Sequence, residues 1–180
     1  MLGYDRKILL IATIPILTVV IVISIITFLQ PTSQRAVATY VPMPDERNGI
    51  KIVSQVLSSS TEVDSSTGNI VPVTHRGERV EIRTKLINTS NEDIEVGGSI
   101  TRTFKVFNGD GVVVFGWRSI GDLAKPLVLR AGEERDVGPH WWAVNVYENN
   151  RLVDAPPGKY IIRIEIMEAG VASDSLVIVK

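Results

Sequence analysis

The sequence predicts an all-β domain, a two-sheet sandwich, behind one N-terminal transmembrane helix. Three observations predict it. Residues 8–29 carry no charged side chain. From Gly49 onward, apolar residues recur with a period of two, not the helical period of about 3.6. Clusters of Gly, Pro, Asn and Asp punctuate those runs, and no long amphipathic pattern fits between them.

Residues 1–7 form a short tail ending in Arg6 and Lys7. Residues 8–29, ILLIATIPILTVVIVISIITFL, follow. At about 1.5 Å per residue, a helix of this length spans roughly 33 Å, one hydrocarbon core. Pro15 falls near the start of the run, where it costs less than at mid-helix, and Gln30 and Pro31 end the run. An uncleaved signal anchor competes with a signal peptide cut after Ala38, in Ala36-Val37-Ala38. The run exceeds the ~7–15 apolar residues of a secretory signal, and the cleavage motif lies well beyond it, so the anchor is favoured. The Arg6-Lys7 pair and the short tail place the N-terminus in the cytoplasm. The expectation is a single-pass protein of the cell membrane, held there by residues 8–29, with its C-terminal domain extracytoplasmic.

Residues 30–48, QPTSQRAVATYVPMPDERN, hold three prolines and no regular period. They predict an extracytoplasmic stalk. The domain is then residues 49–180. Within it, residues 58–68, SSSTEVDSSTG, predict a surface loop. Val80, Ile82 and Leu86 alternate with Glu81, Arg83 and Lys85, the pattern of a half-buried strand. Tyr160, Ile162, Ile164 and Ile166 alternate with Lys159, Arg163 and Glu165 in the same way. Phe104 and Val106 face one side, and Thr103, Lys105 and Phe107 the other. Residues 112–117 and 176–179 are nearly continuous apolar runs, expected to be deeply buried. Residues 50–57 and 92–96 are weaker strand candidates.

Three turns separate these runs: Asn108-Gly109-Asp110-Gly111, Ala131-Gly132-Glu133 and Ala155-Pro156-Pro157-Gly158. Short strands punctuated in this way suggest a sandwich of immunoglobulin-like type. In GPHWWAVNVYENN, residues 138–150, one strand places His140, Trp142, Val144 and Val146 on one face. Trp141, Ala143, Asn145 and Tyr147 fall on the other. Trp142 is expected in the core. Trp141 and Tyr147 are expected to be exposed, and they are the candidate protein-binding residues.

Chemistry is sparse. With 19 basic and 20 acidic residues, the chain has no field that would recruit nucleic acid. It has no Cys, and its two histidines, His75 and His140, lie far apart without metal-ligand spacing. No Gly-x-Ser-x-Gly elbow and no phosphate-cradling glycine loop before a helix is present. The sequence therefore points away from an enzyme, a metal site or a bound cofactor. Asn88-Thr89-Ser90 matches the N-glycosylation pattern in a turn expected to be exposed, making Asn88 a candidate acceptor.

Between Val80 and Glu165 the order of motifs resembles the intracellular proteinase inhibitor (BsuPI) type of domain. Asp110-Gly111, Trp117, Gly132-Glu133, Trp142 and Pro157-Gly158-Lys159-Tyr160 hold its places, over about half of the chain. The resemblance implies an immunoglobulin-like sandwich and, through the family's name, inhibition of a serine proteinase. The membrane anchor departs from that pattern, because an intracellular proteinase would be out of reach. A binding or structural module of the cell envelope, acting through protein–protein contacts, is therefore placed ahead of a tethered inhibitor. The expected partners are the membrane and another envelope protein or a proteinase.

Overall fold

The computed structural model describes residues 39–180. The expected tail, the anchor, the first part of the stalk and the Ala38 cleavage motif lie outside the described residues. Among the described residues, no helix is long and apolar enough to cross a membrane.

The described chain is all-β. Its strands are β1 (Glu46–Arg47), β2 (Ile50–Leu57), β3 (Ser60–Val63), β4 (Ile70–Thr74), β5 (Val80–Asn88), β6 (Ile94–Phe107) and β7 (Val113–Leu129). There follow β8 (Glu134–Asp136), β9 (His140–Trp142), β10 (Asn145–Glu148), β11 (Arg151–Asp154), β12 (Gly158–Ile166) and β13 (Val171–Val179). One sheet runs β1-β2-β5-β8, with β9 also paired to β5. The larger runs β3-β4-β13-β12-β6-β7, and β10-β11 form a separate ribbon. The pairings are antiparallel except β4 with β13.

Both large sheets contribute to one core. Ile50, Ile52, Ile82 and Leu86 of the first sheet join Phe104, Val106, Ile162, Ile164 and Ile166 of the second. The period-two pattern thus does what its physics requires, turning one side of each strand away from water. Within the core, Ser54 and Thr84 hydroxyls lie 3.2 Å apart, and Ser173 Oγ accepts a 2.9 Å bond from the Ser54 amide. These bonds satisfy polar groups that burial would otherwise penalise.

The expected turns are present. In the β6–β7 hairpin, Asn108 Oδ1 accepts from the amides of Asp110 at 3.1 Å and Val112 at 2.9 Å. Gly111 there has a φ of 74°, a conformation that side chains with a Cβ disfavour. Before β12, Tyr160 donates its hydroxyl to the Pro156 carbonyl at 2.8 Å, pinning the Pro-Pro-Gly turn.

Four expectations are corrected. Residues 58–68 are not all loop, because β3 forms within them. Residues 112–117 are only half-buried, because β7 is the edge of its sheet, not a central strand. Arg163 and Glu165 do not face water: both are buried. The cause is the fourth difference. The described part of the expected stalk, residues 39–48, lies on the domain. The Tyr40 amide donates to the Gly111 carbonyl at 2.7 Å, and the Ala172 amide to the Pro44 carbonyl at 2.9 Å. Arg163 clamps Asp174 through Nε at 2.7 Å and Nη2 at 2.8 Å, and donates Nη1 to the Val41 carbonyl at 2.6 Å. Its guanidinium also lies 4.5 Å from the Tyr40 ring and 5.3 Å from that of Phe107. Glu165 accepts two 2.8 Å bonds from Lys105. Period-two alternation reports a wet face only where nothing covers it; here the N-terminal strap does.

Candidate protein-interaction surface

Residues 138–150 form two strands rather than one. β9 continues the first sheet, setting Trp141 opposite Glu81 and Trp142 opposite Val80. The chain then turns at Val144, whose φ of 51° is strained for a β-branched residue. β10 pairs instead with β11. Alternation nonetheless holds at the tryptophans. Trp142 is fully buried, its Nε1 donating to the Asn145 carbonyl at 2.8 Å and its ring 5.5 Å from that of Tyr160. Trp141 is 41% exposed, with the Arg79 guanidinium 4.9 Å from its ring centroid.

Tyr147 is 56% exposed, but the break at Val144 removes it from Trp141's strand and sheet. Its ring stacks on Phe115 of β7 at 5.7 Å. Directly opposite Tyr147 on the ribbon stands Leu152, 50% exposed. The two candidate residues therefore sit on different elements, and Tyr147 belongs to a patch the sequence did not reveal. From Phe115 the aromatic contacts run inward to Phe104 at 6.1 Å, then to Trp117 at 5.5 Å and His140 at 5.6 Å. This seam joins β6, β7, β9 and β10.

Three buried polar atoms have no hydrogen-bond partner among the described residues: Arg102 Nε, His140 Nε2 and Asn145 Oδ1. His140 and Arg102 are electrostatic neighbours. Burial, and then the Arg102 charge, depress the His140 imidazole from its ordinary 6.5 to about 4. At neutral pH His140 is an uncharged, packed ring. Among the described residues no group of three His, Asp or Glu could hold a metal ion.

Asn88 requires a correction. It is only 1% exposed, and its Nδ2 lies 2.7–3.0 Å from the carbonyls of Glu92, Leu129 and Arg130. Its Oδ1 accepts from the Ser90 amide at 2.9 Å. The nitrogen that would carry a glycan is thus the one that ties β5 to the end of β7. Asn88 organises a turn, and the folded chain does not offer it for glycosylation.

The outer face of the first sheet holds an open groove of about 760 Å³, lined by Gln55, Glu81, Arg83, Lys85, Glu134 and Asp136 among others. Its charges largely satisfy one another, with Arg83–Glu81 and Lys85–Glu134 each at 2.9 Å.

No family model matches the chain, and no curated protein matches it. Solved structures match it weakly. An alkylpurine DNA glycosylase AlkC from Pseudomonas fluorescens, bound to DNA containing an abasic site analog, shares 14% identity at a TM-score of 0.38. That match covers 72% of this chain and 30% of the glycosylase. A β-glucosidase from Listeria innocua shares 16% identity at a TM-score of 0.41, covering 84% of this chain and 20% of the enzyme. The β-glucosidase EmGH1 from Erythrobacter marinus shares 9% at 0.40, covering 72% and 16%. This chain spans less than a third of each of these proteins, and likeness at this level assigns no function.

Proposed function

We propose that this chain is a membrane-anchored, extracytoplasmic, immunoglobulin-like module of the cell envelope that works through protein–protein contacts. One observation carries the reading: the exposed pair Tyr147 and Leu152, directly opposed on the β10–β11 ribbon beside the half-buried Phe115. Apolar and aromatic side chains grouped in this way cost solvation unless a partner covers them. Tyrosine supplies large contact area with few torsions to immobilise, so it is a common interface anchor. The uncharged run of residues 8–29 supports the membrane placement.

The test uses the full chain in its native membranes. Tyr147→Ala combined with Leu152→Ala should leave the domain folded and reduce cross-linking to neighbouring envelope proteins about tenfold or more. Unchanged cross-linking would reject the patch. A parallel assay against serine proteinases addresses the BsuPI-like alternative; stoichiometric inhibition that survives the double substitution would replace this reading with a tethered inhibitor.

A further inference from the structure

The terminal strands of the two large sheets are unequal. β1 has two residues, β3 four, β8 three and β9 three, whereas β7 has 17. Folded proteins blunt sheet edges by keeping them short, by charge, by proline or by bulges, because an open edge templates another strand. The short edges here follow that rule. β3 is further tied down by an ion pair between Glu62 and Lys180. β7 does not follow it. It pairs with β6 alone, and over residues 116–121, Gly-Trp-Arg-Ser-Ile-Gly, it has no proline and a single charge.

Both faces of that stretch are accessible in part. Gly116, Arg118 and Ile120 stand opposite Lys105, Thr103 and Thr101, and all three are exposed, Ile120 at 62%. Trp117 and Ser119 point to the other face and are half-buried. Arg118 pairs with no carboxylate among the described residues. The edge thus presents unpaired backbone groups, an uncompensated positive charge and apolar side chains on either side.

We infer that β7 is a docking edge, along which an extended segment of a partner protein adds as a further strand beside residues 116–121. Main-chain hydrogen bonds supply the pairing. Specificity comes from an acidic side chain set against Arg118 and an apolar one against Ile120. This rests on the reading of the chain as a protein-binding module and gives its partner a chemistry. A second copy of β7 fits less well, because antiparallel pairing about the middle of the stretch brings Arg118 towards Arg118, and like charges across strands repel.

The experiment uses the full chain in detergent micelles. The probe is a capped peptide of about nine residues, alternating Val and Thr, with Asp at its centre. Two controls carry Lys at the centre, or Pro at two of the Val positions, which bars strand pairing. The Asp peptide should slow amide exchange within residues 116–121. The controls should bind about tenfold more weakly or worse. Arg118→Glu should reverse the preference between Asp and Lys peptides. Equal binding of the three peptides, or protection confined to another edge, overturns the inference. To separate it from the broader reading, a photo-reactive residue is placed at Ile120 and, separately, at Tyr147 in native membranes. Adducts from Ile120 that vanish with Arg118→Glu support the docking edge. Adducts from Tyr147 alone sink the edge and leave the module standing. Adducts from neither position sink both.

Discussion

At the residue scale, adjacent tryptophans have different duties. Trp142 is fully buried and hydrogen-bonded to the Asn145 carbonyl. Trp142→Ala should open a cavity and strand that carbonyl, costing about 3–5 kcal/mol. Trp141 keeps 41% of its surface in water and meets Arg79 through its ring face. Trp141→Ala should cost roughly 1 kcal/mol. Denaturant unfolding of both variants checks the contrast, and equal losses would contradict it. The Tyr160 hydroxyl, 2.8 Å from the Pro156 carbonyl, makes a single long-lever bond that fixes the turn into β12. Tyr160→Phe keeps the ring and removes that bond, so it should cost about 1–2 kcal/mol. A change near zero would mean the carbonyl is equally well served by water. This bond was legible in the sequence, because a Tyr just after Pro-Pro-Gly, in line with Ile162 and Ile164, has its hydroxyl pointed back over the turn. The role of Asn88 was not legible. A three-residue acceptor pattern says nothing of whether its amide nitrogen is already committed to the carbonyls of Glu92, Leu129 and Arg130.

At the element scale, the N-terminal strap is the main departure from the sequence reading. Residues 39–47 hold two prolines and no alternation, so nothing in their pattern marks them as packed. They are nonetheless fixed by what they cover: Tyr40 meets Phe107 edge-on at 5.3 Å and donates its hydroxyl to Asp174 at 2.8 Å. A folded chain beginning at Asn48 would keep the Arg163–Asp174 pair but lose the Val41 carbonyl and the Tyr40 ring above it. It should therefore be less stable than one beginning at Ala38 by roughly 2–4 kcal/mol. Matching denaturation midpoints would show that the strap only rests on the sheet. The strands themselves were legible: β2, β5 and β12 follow their apolar alternation closely, since that alternation is what drives one face inward. Long-range context was not. β7 reads as a buried run because Val112 to Trp117 is nearly all apolar, yet its neighbour on one side is missing. The break at Val144 was equally invisible, because a valine in the left-handed region violates its own local preference and only the surrounding packing holds it there.

For the whole molecule, burial of His140 couples folding to pH. Its imidazole is 3% exposed, packed among Phe104, Trp117 and the charge of Arg102, and lowered from 6.5 to about 4. In the unfolded chain it titrates near 6.5. Above that value neither state binds the proton, and the stability contributed by the neutral ring is fully present. Between about 6.5 and 4 the unfolded chain is protonated while the folded one is not, so stability falls as pH falls, by up to about 1.4 kcal/mol per unit. Below about 4 both states are protonated and the loss from this group is complete. The carboxylates act in a lower window. Asp64 is held below its usual 3.8, first by its bond to Lys159 and then by the Ser66 amide and hydroxyl. Glu78 and Glu133 are held down chiefly by backbone amides, of His75 and Arg130 respectively. Folded-state carboxylates of this kind stabilise above their unfolded values and lose that contribution as pH drops through the folded ones. Unfolding free energy measured from pH 7.5 down to pH 3.5 should therefore show an early decline that begins well above the carboxylate range. His140→Met should flatten that early decline while leaving the later one in place, because a thioether of similar length fills the site without a titrating group. An early decline of unchanged slope in His140→Met would assign the acid sensitivity to some other group.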